Sequence, residues 1–190
     1  KEDGLVSPCF CTRADIARSV AAPHGPEGPL YPGTCRVLTT PDLARPHAWR
    51  LDVAKSMKRA GPLAWVDHGR EIAAQPALLG DVVLARKDAP VSYHLAVTVD
   101  DADQGVTDVI RGRDLFLSTH VHRLLQALLD LPTPAYHHHK LIIGPDGERL
   151  AKRHGSLSLA DLRAQGIDPQ SLVDAFRAGA APLGFQLSAP

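Results

Sequence analysis

Cysteine is scarce and odd in number: three thiols, at Cys9, Cys11 and Cys35, cannot pair off completely, which excludes a closed disulfide framework. Charge of either sign is not in excess, since 21 Lys and Arg balance 21 Asp and Glu. The totals therefore announce no polyanion partner, and any RNA contact has to be local. Apolar runs long enough to cross a bilayer are missing, as is a charged-then-apolar leader, so the chain reads as soluble, unexported and cytoplasmic, with no membrane partner. Internal repeats are absent, and the glycines serve turns without forming a phosphate-binding fingerprint. What remains, 190 residues, is enough to bury a full core as one domain or as a domain with a substantial insertion.

All three cysteines fall in the first fifth of the chain, two of them one residue apart. Thiols kept reduced and gathered in this way suit a metal better than a disulfide, and their softness selects zinc over magnesium or calcium. A tetrahedral structural site wants a fourth ligand, for which general preference offers His24, with His47 in reserve. The segment is loop-rich and poor in aromatics, so the metal is expected to contribute to its folding.

Periodicity sketches a mixed α/β chain. Thr12 and Asp15 form a capping box, with Asp in place of the usual Glu, ahead of a helix that fades near Ala22. The Pro- and Gly-rich run 23–29 reads as a loop. Strands are expected over 49–53, 63–67 and 81–86, together making a small sheet, and again over 106–110 and 141–143. Helices are expected over 93–104, with Gly105 as the stop, over 119–129, over about 159–165, and over about 169–178 with a Pro at the start. Asp100 and Asp101 read as structural, and His137, His138 and His139 would alternate faces on a strand, so that at most two could share a metal.

The stretch with most chemical content is Arg149-Leu150-Ala151-Lys152-Arg153-His154-Gly155, after a turn at Gly144-Pro145-Asp146-Gly147. A lysine on such a loop, with two arginines beside it, can close over a polyphosphate and neutralise charge that builds up in a transition state. Ahead of it come Tyr93-His94-Leu95-Ala96-Val97-Thr98-Val99-Asp100-Asp101, then Gln104 to Leu115 with Arg111-Gly112-Arg113-Asp114, then Leu131 to Tyr136. In this order the segments resemble the second half of the catalytic domain of class I glutamyl-tRNA synthetases, and most closely the family's short branch. The resemblance spans nearly the whole chain.

It implies a Rossmann-like α/β nucleotide-binding fold with a zinc-binding insertion, residues 1–92 forming the insertion and 93–190 the second catalytic half. The lysine loop resembles the family's KMSKS motif, with Arg149 at the first lysine, Ala151 at the first serine and Arg153 at the last position. The resemblance thus assigns ATP, taken with magnesium, to Arg149, Lys152 and Arg153, Lys152 having the catalytic role. Tyr93 and Arg111 match the glutamate-binding positions, the latter suited to a bidentate grip on a carboxylate. Cys-x-Cys followed by Tyr-x-x-x-Cys is how the short branch holds zinc, which implies Tyr31 as the fourth ligand in place of His24. Activated glutamate would pass to the queuosine base in the anticodon of tRNA(Asp), by a monomeric enzyme. The family's His-x-Gly-His element is not found between Lys1 and Pro190, so this stretch alone is not expected to activate an amino acid.

Overall fold

The computed structural model describes residues 3–19, 24–26, 28–144, 150, 158–181 and 185–188. Along the chain run β1 (Val6–Cys9), α1 (Arg13–Arg18), β2 (His24–Gly25), β3 (Gly28–Pro29), β4 (Ala48–Leu51), α2 (Val53–Ala60), β5 (Ala64–Asp67), β6 (Arg70–Ala73) and β7 (Val83–Ala85). After them come α3 (Tyr93–Asp103), β8 (Asp108–Gly112), α4 (Phe116–Leu128), β9 (Ala135–His139), β10 (Ile142–Ile143), α5 (Leu159–Ala164), α6 (Pro169–Arg177) and β11 (Gln186–Leu187). Two compact units emerge: residues 1–110 with 115–137, and residues 111–114 with 138–190. The first unit thus takes in both sides of Tyr93. Among the described residues no helix is long and apolar enough to cross a membrane.

In the first unit, β4 lies between β1 and β7, antiparallel to both. A second sheet has the order β6-β5-β9-β8, with β5 antiparallel to β6 and parallel to β9. The expected strands near 49–53 and 81–86 therefore share one sheet while that at 63–67 belongs to another. The fold class is mixed α/β with parallel pairing, as expected.

The first strand of that expected trio is also shorter than its alternation implied. It ends at Leu51 because the Asp52 side chain accepts from Lys55 N–H at 3.0 Å and caps α2, a helix the alternation of Trp49, Leu51 and Val53 had concealed. Residues 23–29, read as loop, contain the short antiparallel pair β2–β3. The Thr12–Asp15 capping box is present, and α1 ends at Arg18. At the end of α3, Gly105 adopts φ +68°, Val106 N–H reaches Asp101 O and Gly105 N–H reaches Ala102 O, a Schellman stop.

The main core follows from α4. Val121, Leu124 and Leu125 are at most 2% exposed and pack with Leu51, Val53, Val82 and Leu84. Spacings of three and four put those side chains on one helix face, so a single stripe closes onto the β1-β4-β7 sheet and α2. Trp65 sits beside it, its ring edge-on to Phe116, His120 and Tyr136. Both Trp65 Nε1–H and Gln75 N–H donate to His120 Nδ1, so the ring proton is on Nε2, and burial holds this imidazole below its ordinary pKa. A separate small cluster contains Cys9, Tyr31 and Cys35 with Phe10, Cys11 and Ile16 around them.

In the second unit β10 pairs antiparallel with β11, Ser158 and Asp161 form a capping box on α5, and Asp168 caps α6 with Pro169 at its first position.

Candidate metal centre and cleft

Cys9 is the last residue of β1, paired with Ala48 and 1% exposed. Phe10 carries the chain on to Cys11, and Thr12 caps α1, so the Cys-x-Cys pair occupies the exit from the strand. The chain returns through Tyr31 and a turn closed by Arg36 N–H on Gly33 O, which delivers Cys35 to the same point. The three sulfur atoms lie within 4.8 Å of one another, and among the described residues they are the one group of three or more such ligands that could hold a metal ion.

Cys11 Sγ and Cys35 Sγ are 3.6 Å apart, far too long for a disulfide, and all three thiols are free. The sulfur-to-sulfur edge of a tetrahedral zinc–thiolate site is about 3.8 Å for zinc–sulfur bonds near 2.3 Å. The donor set therefore fits a soft divalent ion.

Tyr31 belongs to this cluster. It is 7% exposed, and its Oη accepts from Cys35 N–H at 2.6 Å. Burial raises its pKa, helped by the neighbouring Cys35 and Cys9 thiols. Burial likewise, followed by the Cys35 thiol, pushes Cys11 up to about 12. Cys35 goes the other way: burial alone would raise it, but hydrogen bonds from Phe10 N–H, Tyr31 and Cys11 outweigh that and lower it. Within the cluster, then, the Cys35 thiol is prepared to carry negative charge, while the Cys11 thiol and the Tyr31 phenol resist it.

The two histidines considered from sequence differ in what can be said of them. His24 lies in β2, and its side chain is outside the described residues. His47 Nδ1 is 2.8 Å from Arg45 O, and its ring packs on Phe10 and Trp49.

Cys11 and Tyr31 also line a cleft of about 940 Å³ whose wall includes Arg50, Lys87, Tyr93 and His94. That volume is of the size small-molecule sites have. Tyr93, in the first turn of α3, is half exposed, and its ring lies 6.0 and 5.9 Å from those of His94 and His122. His94 Nδ1 and His122 Nε2 are 3.1 Å apart, so one ring must donate to the other. Nothing in the sequence pattern flagged this pair, because its members lie on different helices, 28 positions apart.

Arg111 belongs to the second unit, where its Nε–H donates to the buried His138 Nε2 at 3.1 Å. His138 and Tyr136 are buried on one face of β9, with His137 alternate to them, so the three histidines do not converge. Arg149, Lys152 and Arg153 lie outside the described residues.

Residues 52–185 match the family described as tRNA synthetases class I (E and Q), catalytic domain, and the chain belongs to that family. At the level of individual relatives, it is 43% identical over 187 residues to the glutamyl-Q tRNA(Asp) synthetase of Rhodobacter capsulatus, covering 89% of this chain and 66% of that protein. It is 45% identical over 178 residues to the glutamyl-Q tRNA(Asp) synthetase of Symbiobacterium thermophilum, covering 90% of this chain and 54% of that one. The chain thus spans between about half and two thirds of the length of these curated relatives. Among solved structures, a glutamate-tRNA synthetase from Elizabethkingia anophelis superposes with a TM-score of 0.54 at 24% identity over 80% of this chain and 33% of that one, a likeness of fold.

Proposed function

We propose that the chain is part of a cytoplasmic, monomeric enzyme that activates glutamate with ATP and magnesium and transfers the glutamyl group to the queuosine base in the anticodon of tRNA(Asp). The observation that carries this reading is the convergence of Cys9, Cys11, Tyr31 and Cys35 beside the cleft that Tyr93 lines, in a chain whose close relatives bear the name glutamyl-Q tRNA(Asp) synthetase. Residues 1–92 serve as the zinc-bearing insertion that meets the RNA, and 93–190 as the second catalytic half.

In this reading Tyr93 and Arg111 bind glutamate. The Nε–H of Arg111 donates to His138, which ties down one side of a guanidinium of the kind that grips carboxylates. Adenylate formation needs no protein base, since the substrate carboxylate attacks the α-phosphate itself. The protein's work is to position the two reactants and to balance charge. Lys152, with Arg149 and Arg153, supplies cations to the phosphates as charge shifts toward the departing pyrophosphate. Zinc, held by Cys9, Cys11, Cys35 and the Tyr31 phenolate, has a structural part: it fixes the exit of β1 and the return at Cys35, and with them one wall of the cleft.

The test is ATP–pyrophosphate exchange with glutamate, followed by glutamyl transfer to tRNA(Asp) with and without queuosine, in protein carrying this sequence. Transfer that requires the modified base, and that fails in Lys152→Ala and Arg111→Ala, is the expected result. Charging of the 3′ end of an unmodified tRNA would replace this reading with that of an ordinary glutamyl-tRNA synthetase.

A further inference from the structure

We infer that Arg50 is a positioning residue for the metal centre, acting through Tyr31: its guanidinium lies over the phenol ring and fixes the direction in which the hydroxyl meets the three sulfurs. The inference rests on the reading of Cys9, Cys11, Tyr31 and Cys35 as one ligand set.

Arg50 is held by the middle strand of the first sheet, paired with Ser7 of β1 on one side and Val83 of β7 on the other. Its Cζ stands 4.4 Å from the centroid of the Tyr31 ring, within the range where a cation is attracted to an aromatic face. The guanidinium is itself tied down, because Nη1–H donates to Asp81 O at 2.8 Å. Asp81 in turn accepts from Val53 N–H at 3.1 Å and pairs with Arg36. A chain of fixed contacts therefore runs from the start of α2, through Asp81 and Arg50, to the ring of Tyr31.

The Nε–H of Arg50 is buried without a hydrogen-bond partner. An orphaned buried donor is costly, so hydrogen bonding alone does not account for arginine here. Its place over the ring does, since a guanidinium can cover a ring face while another of its N–H groups anchors a carbonyl, which the compact ammonium of lysine does less readily.

With one face of Tyr31 covered by Arg50 and its hydroxyl held by Cys35 N–H, the phenol has little freedom to swing away from the sulfurs. Groups that orient a ligand in this way commonly change metal affinity when removed. Lys87 supplies an internal control: its Nζ donates to Phe10 O at 2.6 Å and also approaches Cys11 O, so it braces the same segment through the backbone and not through Tyr31.

The experiment measures zinc affinity by competition with a chromophoric chelator, together with the visible spectrum of the cobalt-substituted protein. The variants are Arg50→Met, Arg50→Lys, Tyr31→Phe, Lys87→Met, and Tyr31→Phe paired with each of Arg50→Met and Lys87→Met. Arg50→Met is expected to weaken zinc roughly 10- to 100-fold. Arg50→Lys keeps the stem and the charge, so it folds, and it should recover only part of that loss. The double variant with Arg50→Met should bind no more weakly than Tyr31→Phe alone, whereas losses from Lys87→Met and Tyr31→Phe should multiply. Unchanged affinity in both Arg50 variants, or multiplicative losses between Arg50→Met and Tyr31→Phe, overturns the inference while leaving Tyr31 a ligand. Unchanged affinity and cobalt spectrum in Tyr31→Phe instead removes Tyr31 from the ligand set, and the inference falls with that reading.

Discussion

The first unit contains two buried clusters of opposite construction. Around α4, seven buried aliphatic side chains from four segments close on one another, and each gains stability from the area it removes from water. Around Cys35 there are three thiols and one phenol; Cys9 ends the four-residue β1, and the rest is served by a six-residue helix with no buried residue and by strands of two residues. Helices and hairpins that short do not stand alone in water. One region is thus specified by volume, whereas the other has little volume to specify it and gathers thiols that could hold a cation.

The sharpest way to break this contrast is to remove the ligands. Cys9→Ser with Cys35→Ser should abolish tight zinc binding, which for structural sites supplies on the order of 10 kcal/mol of apparent free energy. Amide hydrogen exchange should then rise sharply across residues 9–36 and stay slow in α4. Equal deprotection of both regions would show that the thiol cluster is an integral part of the core.

Leu124→Ala tests the opposite half. Leu124 is fully buried, so the change leaves a cavity and should cost about 2–5 kcal/mol, lowering Tm by on the order of 10 °C. Zinc content per chain, measured by atomic spectroscopy, should stay the same.

The joint between the regions gives a smaller effect. Asp52 caps α2 in the core, and its carboxylate also lies 3.7 Å from Arg36, next to Cys35. Asp52→Ala should cost about 1–2 kcal/mol in thermal unfolding through the lost cap. Asp52→Asn, which keeps an acceptor, should recover most of it; no recovery would shift the role of Asp52 from cap to ion pair.

The same contrast decides what was legible in the sequence. The α4 stripe could be read because Val121, Leu124 and Leu125 repeat at the helical period and nothing else competes. The Cys-x-Cys pair and the distant Cys35 could be read because few other demands cluster thiols in this way. In α2 only Val53, Ala54, Met57 and Ala60 are apolar, and Val53 had already been counted as the third member of a strand. The sign at its start, an Asp before the first residue, is equally a polar position on a strand, and the signs at its end, Lys58 and Arg59 followed by Gly61, suit a turn as well. Strand β6 escaped because Arg70-Glu71-Ile72-Ala73 is polar, and β9 surfaced only through the alternation of its three histidines, since Tyr136-His137-His138-His139 carries little aliphatic signal. Arg50 and Lys87 could not be found from spacing at all. Their partners, Tyr31 and the carbonyls of Phe10 and Cys11, are placed by tertiary pairing of β1, β4 and β7.

The subtlest test uses two copies of one local device. Thr12 with Asp15 caps α1 in the thiol region, and Ser158 with Asp161 caps α5 in the second unit, with the same reciprocal hydrogen bonds. The backbone N–H of Thr12 and then its hydroxyl hold Asp15 down to about 2 from 3.8, and the corresponding groups of Ser158 lower Asp161. A carboxyl lowered on folding stabilises above its unfolded value, and that contribution is lost as pH falls through the folded one, here between about 4 and about 2. Thiolate ligands take up protons well above that window, so zinc should leave first. If α1 exists only because the metal fixes Cys11 and Cys35, Asp15 has lost its partners by the time it titrates, and NMR of its carboxyl carbon should give a midpoint near 3.8. Asp161, whose helix buries Leu162, should still titrate below that value. A midpoint near 2 for Asp15 in zinc-free protein would mean that α1 stands on its own cap, and the thiol region would then be less dependent on its cation than its sparse packing implies.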